Sequence, residues 1–478
     1  MTESHPAAGG TSDHTSTSDA LRGAVEAAFP ATIADLTRLV KIPSVSWAAF
    51  DDAPVEASAE AVAELVRGLG VFELVEIRRA AIGDGADAPF GKPAVVARRA
   101  ARNGRPTVLL YAHHDVQPPG ADEDWDSAPF EPTLRGDRLY GRGAADDKAG
   151  VMAHVGAIRA LTEVLGTDFD LGIALFIEGE EEAGSLSFAN FLHENRELLE
   201  ADAIVVADSG NWDTETPALT VALRGAVAFR LRVSTLAHAS HSGMFGGAVP
   251  DAMLAAIRLL ATLHDVDGSV AVAGLTSADL ETPPYDEAQL RAETGLLDGV
   301  SPIGRGEILS RIWAQPAITV TGIDAPSVAN ASNTLVPSVA VRVSARVAPG
   351  QRDVDALEAI RTHLERHAPF GAKLEFDAVE LGNPFLVDTS GWAVAESNAA
   401  MAEGWGREPV EIGVGGSIPF IAELVAEFPD AQILVTGVED PDSRAHSPNE
   451  SLHLGVFRRT LLSEALFLAR LDARSADS

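Results

Sequence analysis

At 478 residues the chain exceeds what a single hydrophobic core usually serves, so two or more domains are expected. A hydrophobic fraction of 46% against 22% charged residues marks an ordinary globular protein, and a formal net charge of -34 opposes the nucleic-acid backbone. Cysteine is absent, which excludes disulfides, thiolate metal sites and cysteine nucleophiles, so any metal must sit on His, Asp and Glu.

Residues 1–18 lack the basic start and apolar stretch of a signal peptide and read as a disordered tail, which implies a cytoplasmic protein. Apolar runs such as Leu171 to Ile177 fall far short of the roughly 20 residues a membrane-spanning helix needs, so no membrane partner is expected. Phe29, Ile33, Leu36 and Val40 recur at helical spacing before the Pro43 break. The runs Val108 to Tyr111, Ile173 to Ile177 and Ile204 to Val206 are short and continuously apolar, as in strands buried on both faces. Val151, Val155, Ile158, Leu161 and Leu165 trace a helical face between them, so this stretch reads as α/β with a mostly parallel sheet.

From about Thr216 the pattern changes. Phe229, Leu231 and Val233, and later Val339, Val341 and Val343, alternate with polar or small residues as in strands with one wet face. Helical spacings at Met253, Ile257, Leu260 and at Val354, Leu357, Ile360, Leu364 complete the order strand, helix, strand, strand, helix, strand, that of a ferredoxin-like α+β unit. After Trp392 a helix around Ala393 to Ala402 and a buried strand at Ile433 to Val435 restore the first pattern. The expected division is therefore a catalytic domain over 19–215 and 385–478, interrupted by an inserted domain over 216–384.

Four polar clusters follow the buried strands: His113-His114-Asp115, Glu180-Glu181-Glu182, Asp208 and, farther on, His446. Open α/β sheets gather ligands at the carboxyl edge, where groups distant in sequence converge. Asp146 and Asp147 form a fifth cluster after a glycine-rich turn; either could simply cap the helix that follows, and Asp147 is given only that role. Histidines and carboxylates without thiolates suit two divalent ions, zinc first and manganese second, with one carboxylate bridging and one free to act as base. Paired cations acidify water and stabilise a tetrahedral oxyanion, the requirement for amide hydrolysis without a covalent intermediate.

The segments YAHHDVQP, GRGAADDKAG, EGEEEAGS, VADSGNW, HSGMFGG, GGSIP and AHSPNE resemble, in order, the motifs of one metallopeptidase branch. This is the carnosinase-like, cytosolic non-specific dipeptidase branch of the di-zinc aminoacylase, desuccinylase and carboxypeptidase superfamily. The resemblance runs from about Ile42 to Leu454. It implies a di-metal aminopeptidase-like catalytic domain with an inserted dimerisation lid, acting as a dipeptidase. On this resemblance His113 and Asp208 bind one metal, Glu182 and His446 the other, and Asp146 bridges both. Asp115 orients His113, and Glu181 is the general base.

The resemblance further implies that His241 reaches into a partner subunit's site, hence a homodimer. It places Asn333, Thr334, Arg346, Gly416 and Ser417 around a small dipeptide-like substrate, with Arg346 clamping a carboxylate. On the residues alone, His241 is also compatible with an ordinary Gly-rich turn, and Arg346 with a wet strand face. His114 stands where an apolar residue is commoner and could compete with His113 as a ligand; Arg444 stands where a small residue is usual. The same metal centre would serve an N-acyl-amino-acid deacylase of the acetylornithine or succinyl-diaminopimelate type. A silent, ligand-binding relative would have lost Glu181 or a metal ligand, and no such loss is visible.

Overall fold

The computed structural model describes residues 11–85, 87–415 and 419–474. Contacts divide the chain into two compact units: Val221–Val387 with Ile412–Ala422, and the remainder. The second catalytic segment expected from 385 onward thus yields Ile412–Ala422 to the inserted unit. Gly413 explains the transfer, since a Cβ there would lie 2.6 Å from the Trp313 side chain of that unit.

The larger unit opens with α1 (Thr11–Val40), so residues 11–18 of the expected tail are helical, and residues 1–10 lie outside the described residues. Once a helix is nucleated, each added residue gains a hydrogen bond for one residue fixed, and the Leu21, Val25, Phe29 and Leu36 stripe is buried. There follow α2 (Ala53–Gly68), β1 (Leu74–Arg78), β2 (Ala94–Arg99) and β3 (Thr107–His113), then α3 (Lys148–Leu165), β4 (Gly172–Glu178), β5 (Ala203–Val206) and β6 (Ala218–Leu223). Every residue of β3, β4 and β5 is buried, as their unbroken apolar runs require. Each such Val, Leu, Ile or Phe contributes about 1.5–3 kcal/mol relative to exposure. On α3, Val151, Val155, Ile158 and Leu161 face inward, whereas Leu165 at the frayed end is 36% exposed.

The inserted unit contains β7 (Gly225–Ser234), α4 (Ala252–Leu260), β8 (Ala317–Asp324), β9 (Ser338–Val347), α5 (Asp353–His367) and β10 (Lys373–Gly382). Its sheet runs β8-β9-β7-β10, antiparallel throughout, with the two helices interleaved in the ferredoxin-like order. Phe229, Leu231, Val233, Val339, Val341 and Val343 form its core. The face of α4 matches the expected one only in part: Met253 and Leu260 pack half-buried against the core, and Ile257 does not. Ala252, Ala255, Ala256 and Leu259 are buried, because small residues let the helix sit close to the sheet, and Leu254 and Ile257 stand 45% and 57% exposed.

The chain then returns to the larger unit through α6 (Trp392–Trp405), β11 (Gln432–Val435) and α7 (Leu454–Ala473). The order of that unit's sheet is β1-β2-β4-β3-β5-β11, extended by β6. Its four central strands β4, β3, β5 and β11 are parallel, with antiparallel pairs outside them. Helices α3 and α7 cross closely at Gly156, where a Cβ would come within 2.4 Å of Leu461. No helix among the described residues is long and apolar enough to cross a membrane.

Candidate metal centre

The carboxyl ends of the parallel strands carry the site. His113 closes β3 and pairs in register with Glu178, the last residue of β4, which places the Glu180–Glu182 turn beside it. Asp208 follows β5 by two residues. The Asp146–Asp147 peptide, which is cis, precedes α3, and a Cβ at Gly150 would lie 2.0 Å from Asp147 Oδ1 and 2.6 Å from the Ala207 carbonyl oxygen. Only glycine therefore lets the first turn of α3 approach both loops.

Asp146 stands between the two histidines. Its Oδ1 lies 3.2 Å from His113 Nε2, and its Oδ2 lies 2.9 Å from His446 Nε2. On the far sides, Asp208 Oδ1 is 3.9 Å from His113 Nε2 and Glu182 Oε2 is 3.3 Å from His446 Nε2. The five residues expected as ligands are thus brought together. Among the described residues two donor groups converge, His113 with Asp147 and Asp208, and His113 with Asp146 and Glu182.

Asp115 braces this arrangement. Its carboxylate lies 3.3 Å from His113 Nδ1 and accepts the Glu181 and Glu182 amides at 3.2 and 3.0 Å and the Ser46 hydroxyl at 2.6 Å. One buried carboxylate thereby sets the ring of His113 and the backbone of two glutamates. Gln117 donates to both oxygens of Glu182, at 3.2 Å from its amide and 2.6 Å from its side chain.

The electrostatics call for cations. Burial, reinforced by the Asp146 charge, pushes Glu182 up to about 11, and burial raises Asp208 to about 6. Burial also raises Glu181 and Asp147 well above the usual carboxylate range. Burial opposes charging of His113, yet the hydrogen bonds it donates to Asp115 and Asp146 hold it well above an ordinary histidine. Burial raises Asp146, but His113 and His446 outweigh it and hold Asp146 below the usual carboxylate range. So many carboxylates crowd one buried edge that divalent ions held by nitrogen and oxygen fit it, since their charge would offset both the burial and the mutual repulsion that raise these acids.

His114 does not compete. Its Nε2 faces the Pro93 carbonyl oxygen at 2.8 Å, away from the cluster, and burial lowers it to about 4. Asp147 makes no side-chain cap on α3; its Oδ2 accepts the His113 amide at 3.1 Å instead. Lys148 Nζ donates to the Leu39 and Ile42 carbonyls, tying the end of α1 to this loop.

In the inserted unit, His241 pairs with Thr334 in a short antiparallel ladder, and the Ser242 amide donates to the Asn333 carbonyl at 2.9 Å. Arg346 is half-buried on β9. Arg224, which sequence reasoning passed over, is buried beside it, and burial with the Arg346 charge lowers it to about 10. It donates to the carbonyls of Gln315 and Gly415. Gly416 and Ser417 lie outside the described residues. Gln117, Arg142 and Glu450 were also missed as site residues, although each stands inside a motif quoted for the resemblance.

A carboxylate shared between two histidines, with further carboxylates on either side and the half-buried Glu181 next to them, defines a metallohydrolase centre. The chain belongs to peptidase family M20/M25/M40, whose sequence model matches residues 109–469. It is 37% identical over 368 residues to the "Cysteinylglycine-S-conjugate dipeptidase" of Corynebacterium striatum, covering 76% of this chain and 80% of the relative. It is 27% identical over 445 residues to the "Cys-Gly metallodipeptidase dug1" of Schizosaccharomyces pombe, covering 88% and 91%. The solved structure of the Saccharomyces cerevisiae dipeptidase Dug1p shares the fold, with a TM-score of 0.77 at 22% identity over 96% of this chain and 99% of that one.

Proposed function

We propose that the protein is a metal-dependent dipeptidase that hydrolyses the peptide bond of small dipeptides. The observation that carries this reading is the placement of the two Asp146 oxygens against His113 and His446, one histidine each. His113 and Asp208 would hold one divalent ion, Glu182 and His446 the other, and Asp146 both. Zinc is the first expectation and manganese the second. Ions bound there would acidify water and polarise the scissile carbonyl. Glu181 takes the proton from water and returns it to the leaving amine, a task suited to a carboxyl whose proton affinity burial has raised. Asp115 holds the His113 ring and the Glu181 backbone in place for that transfer. The dipeptidase names of the relatives support the substrate class over N-acyl amino acids.

The test is hydrolysis of several L,L-dipeptides beside N-acetyl and N-succinyl amino acids by metal-free enzyme resupplied with zinc or manganese. Metal-restored cleavage confined to dipeptides is expected. Cleavage confined to the acylated amino acids would move the protein to the deacylases, and cleavage of neither would favour a silent binding relative.

The same reading makes the enzyme a homodimer in which the inserted unit acts as dimerisation lid. His241 of each subunit then serves the cation site of the other, and Arg346 clamps the dipeptide carboxylate with Asn333, Thr334, Gly416 and Ser417 around it. Two features support a second copy: β8 is an edge strand with Val320 and Ile323 exposed, and α4 leaves Leu254 and Ile257 uncovered. Mixing His241→Ala subunits with Glu181→Ala subunits should restore part of the activity that each lacks alone. No recovery after demonstrated subunit exchange would refute sharing.

A further inference from the structure

The Glu450 carboxylate is fully buried, 304 positions along the chain from Asp146, yet it accepts four hydrogen bonds from the loop that carries Asp146. Oε2 takes the Arg142 guanidinium at 2.6 Å and the Gly143 amide at 3.1 Å. Oε1 takes the Ala145 amide at 2.9 Å and the Asp146 amide at 3.1 Å. Three backbone N–H groups of one turn thus converge on a single carboxylate, an anion nest filled from within the protein.

The backbone on both sides is locked as well. Ser451–His453 pairs antiparallel with Arg138–Tyr140, and the Gly141 amide donates to the Glu450 carbonyl at 3.0 Å. Glu450 lies four residues after His446, and the same Arg142 side chain that binds it also reaches the Ser447 carbonyl at 3.4 Å. His446, Arg444 and Asn449 have φ of 60°, 56° and 62°, left-handed conformations that a non-glycine residue keeps only when its surroundings impose them. The Arg142–Glu450 pair holds the chain just after His446, at Ser447 and Glu450, and Asn449 is held separately by the Asp126 amide and the Asp124 carbonyl.

We infer that Glu450 is a positioning residue that couples the two halves of the cation site by fixing the Asp146 loop against the His446 turn. It touches neither substrate nor ion; it acts through Asp146 and His446. His113 and Asp208, which it does not contact, hold their half through β3 and β5. The inference rests on the two-cation reading proposed above. Loss of Glu450 therefore weakens the half built from Glu182 and His446 more than the half built from His113 and Asp208, which a purely structural role would not do.

The test is titration of metal-free protein with cobalt(II), followed by calorimetry and by the visible absorption of the bound ion. It compares wild type, Glu450→Gln and the double variant R142M/E450Q. The double variant removes both buried charges together and so preserves folding if Glu450→Gln alone, which strands the Arg142 charge, does not fold. Wild type is expected to take two ions. A folded variant should fill the half that contains His446 about 10–100-fold more weakly, the range for residues that support metal ligands from outside, and the other half, which shares only Asp146 with it, with a smaller loss. Two ions bound at wild-type affinity, or both weakened equally, would overturn the inference. Failure of wild type to bind two ions would overturn the two-cation reading and the inference with it.

Discussion

Glu181→Ala is expected to lower kcat by about 10²–10⁴-fold while leaving two metal ions bound per chain. The separation follows from where the residue sits. The donors that converge among the described residues are His113, Asp146, Asp147, Glu182 and Asp208, with His446 joined to them through Asp146 and Glu182, and Glu181 is in neither group. Its backbone amide is fixed by Asp115 Oδ1 at 3.2 Å, so truncating the side chain leaves the turn in place. Burial is the first reason its proton affinity is raised, with Asp208 and Asp115 adding repulsion that the His113 charge opposes. Cations bound at the neighbouring donors would bring that affinity back down, leaving a carboxylate able to accept a proton near neutral pH and give it up again. Steady-state kinetics with metal content measured by elemental analysis on the same samples checks the prediction. Turnover near wild type would remove Glu181 from the role of base; loss of metal together with turnover would make it a ligand.

Much of the architecture was legible because hydrophobic burial writes itself into local sequence. Strands β3, β4 and β5 are covered on both faces, so their runs are unbroken, and β7 and β9 have one wet face, so theirs alternate. The buried side of α4 was legible only in part: Met253 and Leu260 pack half-buried against the core as their spacing suggests, but alanines and Leu259 make the closest contact while Ile257 stays outside. Hydrophobicity ranks Ile257 above Ala256; close packing against a sheet ranks them the other way. The helical start of α1 within a Ser- and Thr-rich stretch was hidden for a related reason, since composition describes residues singly and helix propagation does not.

The polar residues at strand ends were legible because their position after a buried run is a local feature. What holds them is not local. Glu450 meets Ala145 and Asp146 across more than 300 residues, and Gln117 meets Glu182 across 65. Asp147 shows the same limit, since a carboxylate at a helix start reads as a cap until the His113 amide is found against it. Motif membership marked Gln117, Arg142 and Glu450 as worth attention but carried no indication of which partner each would meet.

The second large effect is expected at Asp146. Asp146→Asn should reduce activity by about 10³-fold or more and leave at most one ion bound per chain, since each ion contributes several kcal/mol of transition-state stabilisation. Asn keeps the volume and one carbonyl oxygen but loses the charge and replaces the other oxygen with a donor. In the native site Oδ1 and Oδ2 each stand against one histidine, so whichever way the amide turns, one histidine faces an NH2 group. The Asp146 amide, held by Glu450 Oε1, is unchanged by the substitution, so the loop itself should stay in place. The loss therefore belongs to the side chain alone, which separates this variant from the Glu450 variants, where the side chain survives and its support is removed. Asp208→Asn provides the contrast. Asp208 lies on one side of the cluster, 3.9 Å from His113, and its replacement should weaken only the ion held with that histidine. Metal content and calorimetric titration of both variants decide the matter. If Asp146→Asn retained two ions at wild-type affinity, Asp146 would not be the shared ligand, and Asp147, whose carboxylate converges with His113 and Asp208, would be the residue to test in its place.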